Sequence, residues 1–119
     1  MTRPVALARW DALPLEKVTE MVARKTVRGA NLTLTQSYLK KGALVPRHAH
    51  AGEQMIYVLQ GALRAELDGR QVMIREGELL QVPAGSPHQA EALDDTFVLD
   101  VTVEPAGTPG PAGPGEEAP

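Results

Sequence analysis

Cysteine is absent from these 119 residues, which removes disulfides, thiolate metal ligands and a cysteine nucleophile together. Aromatic rings are almost absent too: Trp10, Tyr38, Tyr57 and Phe97 are the whole set. The core must therefore come from Leu, Val, Ile, Ala and Met. No apolar run is long enough to span a bilayer, and residues 1–10 lack the apolar stretch of a secretory signal. A soluble cytoplasmic protein with no membrane partner is expected. The length suits one domain with a single core.

Acidic residues are sparse in the first half, where residues 1–50 hold nine Lys/Arg against three Asp/Glu. Residues 51–119 reverse this, with three against twelve. The basic residues are dispersed and not interleaved with aromatics, so no nucleic-acid partner is expected. Charge complementarity between strands or subunits accounts for the asymmetry. A sharper reading gives Arg24 or Arg28 an anionic substrate to bind.

Long helical periodicity is also missing. Turn signals recur every eight to twelve residues instead, at Gly29, Gly42, Gly52, Gly61, Gly69, Gly77 and Gly85, with runs of Val, Leu, Ile and Thr between them. That rhythm predicts an all-β sandwich or barrel. Strands are expected near 20–28, 32–40, 43–49, 54–60, 62–68, 70–75, 78–82, 88–93 and 96–104, with a short helix at Pro14–Glu20. Leu67-Asp68-Gly69-Arg70 suits a tight hairpin with positive φ. Several strands are apolar on both faces: Gln54, Ile56 and Val58 alternate with Met55, Tyr57 and Leu59. Phe97, Leu99, Val101 and Val103 likewise share one face of the last strand. A small barrel buries only its inner faces, so the outer face wants cover, and a homodimer is expected. Residues 1–17 read as an arm, 18–104 as the barrel, and the Pro/Gly-rich 105–119 as a flexible, solvated tail.

Histidine is scarce, yet its three copies are arranged. His48 and His50 stand at i and i+2, so on a strand both side chains leave one face. His88 follows about forty residues on, in Pro83-Ala-Gly85-Ser-Pro-His88. With an amide oxygen nearby, three imidazoles can hold a divalent metal.

At these residues the chain resembles a single-domain cupin. The family's first motif is Gly-x5-His-x-His-x(3–4)-Glu-x6-Gly, matched from Gly42 through His48 and His50 to Gly61. Its second is Gly-x5-Pro-x-Gly-x2-His-x3-Asn, matched from Gly77 through Pro83 and Gly85 to His88. The resemblance implies a double-stranded β-helix, the jelly-roll barrel, with a metal inside. Two positions depart. Ala92 stands where the asparagine would fall, and Gln54 stands in the glutamate position. Spacing back from Gly61 selects Gln54 over its neighbour Glu53, and adjacent strand residues cannot both face the metal. A neutral amide leaves a divalent ion with its full double charge, which favours Lewis-acid over oxygen-activating chemistry.

The run from His48 to Gly61, and the closing Val98-Leu99-Asp100-Val101, are similar to the pectin-degradation (KdgF-like) cupins. Members of that group convert unsaturated uronates into linear keto sugars. The resemblance implies His48, His50, Gln54 and His88 as ligands of one divalent transition metal (nickel, zinc, manganese or iron), and Asp100 as acid/base. The basic residue that group carries after the aspartate is missing here, where Val-Thr-Val-Glu-Pro-Ala follows. Arg24, Arg28 or Arg47 would have to hold a substrate carboxylate, with Gln36 and Tyr38 lining the pocket. Asp100 points into the barrel if the apolar face of its strand points out. The rival functions are a metal-dependent dioxygenase, a lyase, and a non-catalytic metal- or ligand-binding cupin.

Overall fold

The structure is a computed structural model that describes residues 6–104. The expected tail over 105–119 and the first five residues of the arm lie outside the described residues. Ten strands follow one short 3₁₀ turn (Trp10–Ala12): β1 (Glu16–Lys17), β2 (Val22–Arg28), β3 (Leu32–Leu39), β4 (Leu44–His48) and β5 (Gln54–Gln60), then β6 (Ala62–Leu67), β7 (Arg70–Arg75), β8 (Leu79–Val82), β9 (His88–Ala92) and β10 (Thr96–Val103). Every pairing is antiparallel, in a six-stranded sheet ordered β1-β2-β3-β10-β5-β8 and a four-stranded sheet ordered β4-β9-β6-β7. The two sheets face each other as a jelly roll. No helix among the described residues is long and apolar enough to cross a membrane.

Residue chemistry sets the turns. Asp68 and Gly69 both take positive φ, 53° and 73°, between the paired Leu67 and Arg70. That is the two-residue hairpin an Asp-Gly pair favours, because its twist matches the flanking strands. Gly61, between β5 and β6, has φ 91°, and a Cβ there would stand 2.5 Å from Asp95 O. Only glycine fits that approach.

The helix expected at Pro14–Glu20 does not form. Glu16 and Lys17 pair with Arg24 and Ala23, and the amides of Val18 and Thr19 donate to Val22 O. A helix that short leaves most of its terminal amides and carbonyls unpaired, whereas the sheet edge supplies partners. Strand β1 thus lies within the segment read as an arm.

The core is aliphatic: Val22, Leu39, Val45, Ile56, Val58, Leu63, Ile74, Val82 and Val98, with Ala43, Ala65 and Ala92 between them. No methionine joins this buried set, contrary to expectation; Met21 and Met73 are exposed and Met55 is half-buried. The inner face of the large sheet divides along its length. Val22, Leu39, Val58 and Val98 lie at one end with Arg24, Ser37 and Thr96 beside them, while Thr33, Thr35, Asp100, Thr102 and Gln54, with Ile56 and Val82, make the other end the more polar. The candidate metal centre lies at the polar end.

Candidate metal centre

Strand β4 ends at His48, and β9 begins at His88, directly opposite it. The register shifts between Val45 and His48, so Arg47 turns outward and His48 inward. His50 lies two residues past the strand end, and its carbonyl accepts the Gly85 amide at 2.7 Å. The two glycine-proline segments of the sequence are thereby tied together through their backbones. Ser86 Oγ also donates to Asp68 Oδ1 at 3.2 Å, which fixes the second segment to the β6–β7 hairpin.

The three rings meet. Their centroids are 4.6 Å apart for His48–His50, 4.3 Å for His48–His88 and 5.4 Å for His50–His88. One donor atom from each lies within 4.8 Å of the others. Backbone carbonyls set which nitrogen faces inward. His48 Nδ1 lies 2.8 Å from Pro46 O, and His88 Nδ1 lies 2.9 Å from Ser86 O. A proton on each Nδ1 satisfies those carbonyls and leaves the Nε2 lone pairs pointing into the cluster.

Charge inside this cluster is disfavoured. Burial, with like charge on His48 and His88, pushes the His50 pKa down to about 4 against the opposing Gln54 side chain. Burial likewise lowers His88, opposed by Ser86 and assisted by His48. Both rings are therefore neutral at pH 7, the form that binds metals.

Gln54 comes up beside His50 from β5. It is 1% exposed, whereas Glu53 is exposed and turned away. Its Nε2 donates to Asp100 Oδ1 at 3.4 Å, which leaves Oε1 as the amide's remaining acceptor. Gln54 Oε1 and His88 Nε2 are both buried without a well-aligned hydrogen-bond partner. Each such orphan costs about 1–3 kcal/mol, so their coincidence beside two facing imidazoles calls for a cation. His48 Nε2 and His50 Nε2 stand 3.0 Å apart. Two donors ~2.1 Å from one ion and at right angles to each other have about that separation. The residues present therefore fit a divalent metal held by three imidazoles and one amide oxygen.

Asp100 is 4% exposed and faces the interior from β10. Burial pushes its pKa up to about 7, opposed by the Gln54 hydrogen bond and the Arg24 charge. A small cavity of about 30 Å³ separates it from His88, floored by Leu39, Val45, Ile56, Leu63, Ala90 and Val98.

The remaining sequence candidates scatter. Arg24 is buried on the inner face of β2, its Nε 3.0 Å from Glu16 Oε1. Arg28 stands further along the same face, half-buried. Arg47 lies outside, 3.5 Å from Glu66. Gln36 and Tyr38 do not join the site: both sit on the outer face of β3, where Tyr38 packs edge-on against Phe97 at 5.0 Å. Their strand neighbours Thr35 and Ser37 face inward instead, and sequence reasoning passed over them. Parity with Asp100 across the β3–β10 pairing was the signal that could have found them.

A family model described as a cupin domain matches residues 36–109. No curated protein matches by sequence. Among solved structures, KdgF from Halomonas sp. is 27% identical, with TM-score 0.76 over 82% of this chain and 94% of that one. An RmlC-like cupin from Shewanella frigidimarina is 20% identical, with TM-score 0.79 over 90% and 97%. Bacillus subtilis oxalate decarboxylase, a protein with Mn(II) centres, is 21% identical, with TM-score 0.74 over 90% of this chain and 32% of that one. The last two likenesses concern the fold alone.

Proposed function

The chain belongs to the family of cupin domains, and on that premise we propose that it holds one divalent transition metal (nickel, zinc, manganese or iron) and linearises a small unsaturated uronate. His48, His50, His88 and Gln54 are the ligands in this reading, and Asp100 is the acid/base. One observation carries it: the amide beside His50 keeps its oxygen buried and unpartnered while its nitrogen donates to a buried carboxyl group. Likeness to the Halomonas KdgF supports the same reading.

When bound, the metal supplies Lewis acidity toward sugar oxygens, undiminished by any anionic ligand. The chain's own residues do the rest. Ring opening requires a base to take the anomeric hydroxyl proton. The ring C–O bond then breaks to leave an aldehyde and an enolate. Delivery of a proton to the enolate carbon gives the ketone, so atoms and charge balance without an oxidant. One carboxyl group can take and return that proton if its pKa lies near the working pH, as burial arranges for Asp100. The cavity between His88 and Asp100 has room for a water or two through which the proton can pass. The aliphatic floor excludes bulk water below it.

Metal analysis of purified protein, coupled to loss of the conjugated enol-ether absorbance of unsaturated galacturonate, tests this. Turnover that Asp100→Asn abolishes supports it. Oxygen uptake with a diketone would replace it by a dioxygenase, and no turnover with either would leave a lyase or a binding protein. We further propose a second copy of this chain as the partner of the large sheet's outer face. Tyr57, Leu79, Phe97, Leu32 and Val103 are exposed there. Sedimentation at twice the chain mass, lost in Tyr57→Glu, is the expected result.

A further inference from the structure

We propose that Arg28 anchors the carboxylate of the substrate at the mouth of the metal site, selecting acids over neutral sugars. This rests on the small-acid reading above but not on which reaction follows. Arg24, Arg28 and Arg47 are the arginines offered for that task, and the structure separates them. Arg47 is on the outer surface with Glu66. Arg24 is buried and engaged by Glu16, so its guanidinium already has a carboxylate. Arg28 alone of the three stands on the inner face with no hydrogen bond or ion pair among the described residues.

Its place in the register is the second observation. Arg28 pairs with Thr33, Thr33 with Thr102, and Thr102 with the ligand Gln54. These four residues form one row across the polar end of the large sheet. Three strand spacings of ~4.8 Å put the Arg28 and Gln54 backbones about 14 Å apart along the sheet, less across its curve. A long side chain reaching inward from Arg28 covers part of that span, and a small organic acid is of a size to bridge the rest. Between them, Thr33 and Thr102 offer hydroxyl groups and no competing charge. A half-buried guanidinium without a partner is the group that binds a carboxylate through two parallel N–H donors. The row thus joins the metal ligand at one end to a cation at the other, and an acid bridging the two satisfies both.

Equilibrium binding to metal-loaded protein tests this without turnover, using galacturonate and galactose as probes. Wild type should bind galacturonate, and Arg28→Gln should weaken that by on the order of 10- to 100-fold, with galactose binding and metal content unchanged. Arg28→Lys keeps a point charge but loses the fork, and should fall between. Equal galacturonate affinity in wild type and Arg28→Gln would overturn the proposal, since the carboxylate would then sit on the metal itself. Failure of wild type to bind galacturonate any better than galactose would overturn it also. Should Arg28→Gln prove unfolded by its melting curve, Arg28→Lys decides: affinity equal to wild type overturns the fork, and reduced affinity with intact metal content supports it. Wild type that binds galacturonate in this way yet leaves unsaturated galacturonate unconverted would sink the linearisation reading and leave this one standing.

Discussion

Gln54 and Asp100 meet across adjacent strands, the amide nitrogen 3.4 Å from the carboxylate oxygen, with both side chains buried. The carboxylate fixes which way the amide points. With nitrogen turned to Asp100, only oxygen is left to face the histidines. In the proposed reading the pair would couple metal binding to the protonation of the residue we assign to acid/base work.

Gln54→Glu should break that coupling. Two carboxyl groups at this distance cannot both ionise, so one must hold a proton. Metal affinity is expected to rise, because an anion replaces a neutral donor. Turnover should fall with the metal's Lewis acidity, and the metal-free protein should melt earlier than wild type. Isothermal titration with zinc and melting curves with and without chelator check both halves.

Asp100→Asn should trade activity for stability. Turnover is expected to fall roughly 10²–10⁴-fold, as for loss of a general acid–base group. The Asp100 pKa is about 7 in the fold against an ordinary 3.8, so folding takes up a proton and wild-type stability declines as pH rises through that window. Removing the carboxylate should stabilise the metal-free protein by on the order of 2 kcal/mol at pH 8. His50 works in the opposite sense. Its pKa falls from 6.5 to about 4, so stability is lost as pH drops across that range. Metal-free Asp100→Asn should therefore lose stability on acidification more steeply than wild type, which denaturant melts at pH 5 and pH 8 would measure.

His88→Ala deletes the imidazole that β9 brings opposite His48. Metal content should drop from about one ion per chain to near none, read by elemental mass spectrometry. In wild type, a thousandfold excess of metal over its dissociation constant should stabilise by about 4 kcal/mol, and chelator should reverse this. In His88→Ala the melting temperature should not respond to either addition.

Gly61→Ala and Gly85→Ala separate steric clash from backbone strain. A Cβ at Gly61 would come within 2.5 Å of both Asp95 O and Thr96 Oγ1, whereas one at Gly85 meets nothing within 4 Å. Both take positive φ. Gly85→Ala is expected to cost ~1 kcal/mol, and Gly61→Ala about 3 kcal/mol or more, by urea denaturation.

Much of this was legible in the sequence because glycine and proline punctuate it so regularly. Nine expected strands correspond to β2 through β10 within one or two residues at either end. The resembled family's motif spacing, with strand parity, selects Gln54 over Glu53, and Gln54 is the buried one of the two. Side-chain direction was harder. A strand apolar on both faces does not say which face is inside, so Asp100 could be placed only conditionally, and Gln36 and Tyr38 were put in the pocket they back onto. Strand β1 was missed because two residues carry no periodicity, and its pairing is set by the sheet edge it meets. The bulge before His48 also left no mark in composition, though it decides that Arg47 faces out.

The hydrocarbon packed beneath His88 and Asp100 has a consequence for the kind of guest this barrel admits. Leu39, Val45, Ile56, Leu63 and Val98 close in so tightly around His88 and Asp100 that the cavity they line together measures only about 30 Å³. A space of that size holds a water or two, so a six-membered ring bound in the proposed way would stay outside it. Shaving one of those side chains to alanine would deepen the cavity without touching a ligand. Depth, set by five aliphatic side chains, is the dial by which such a scaffold can be retuned to bulkier molecules.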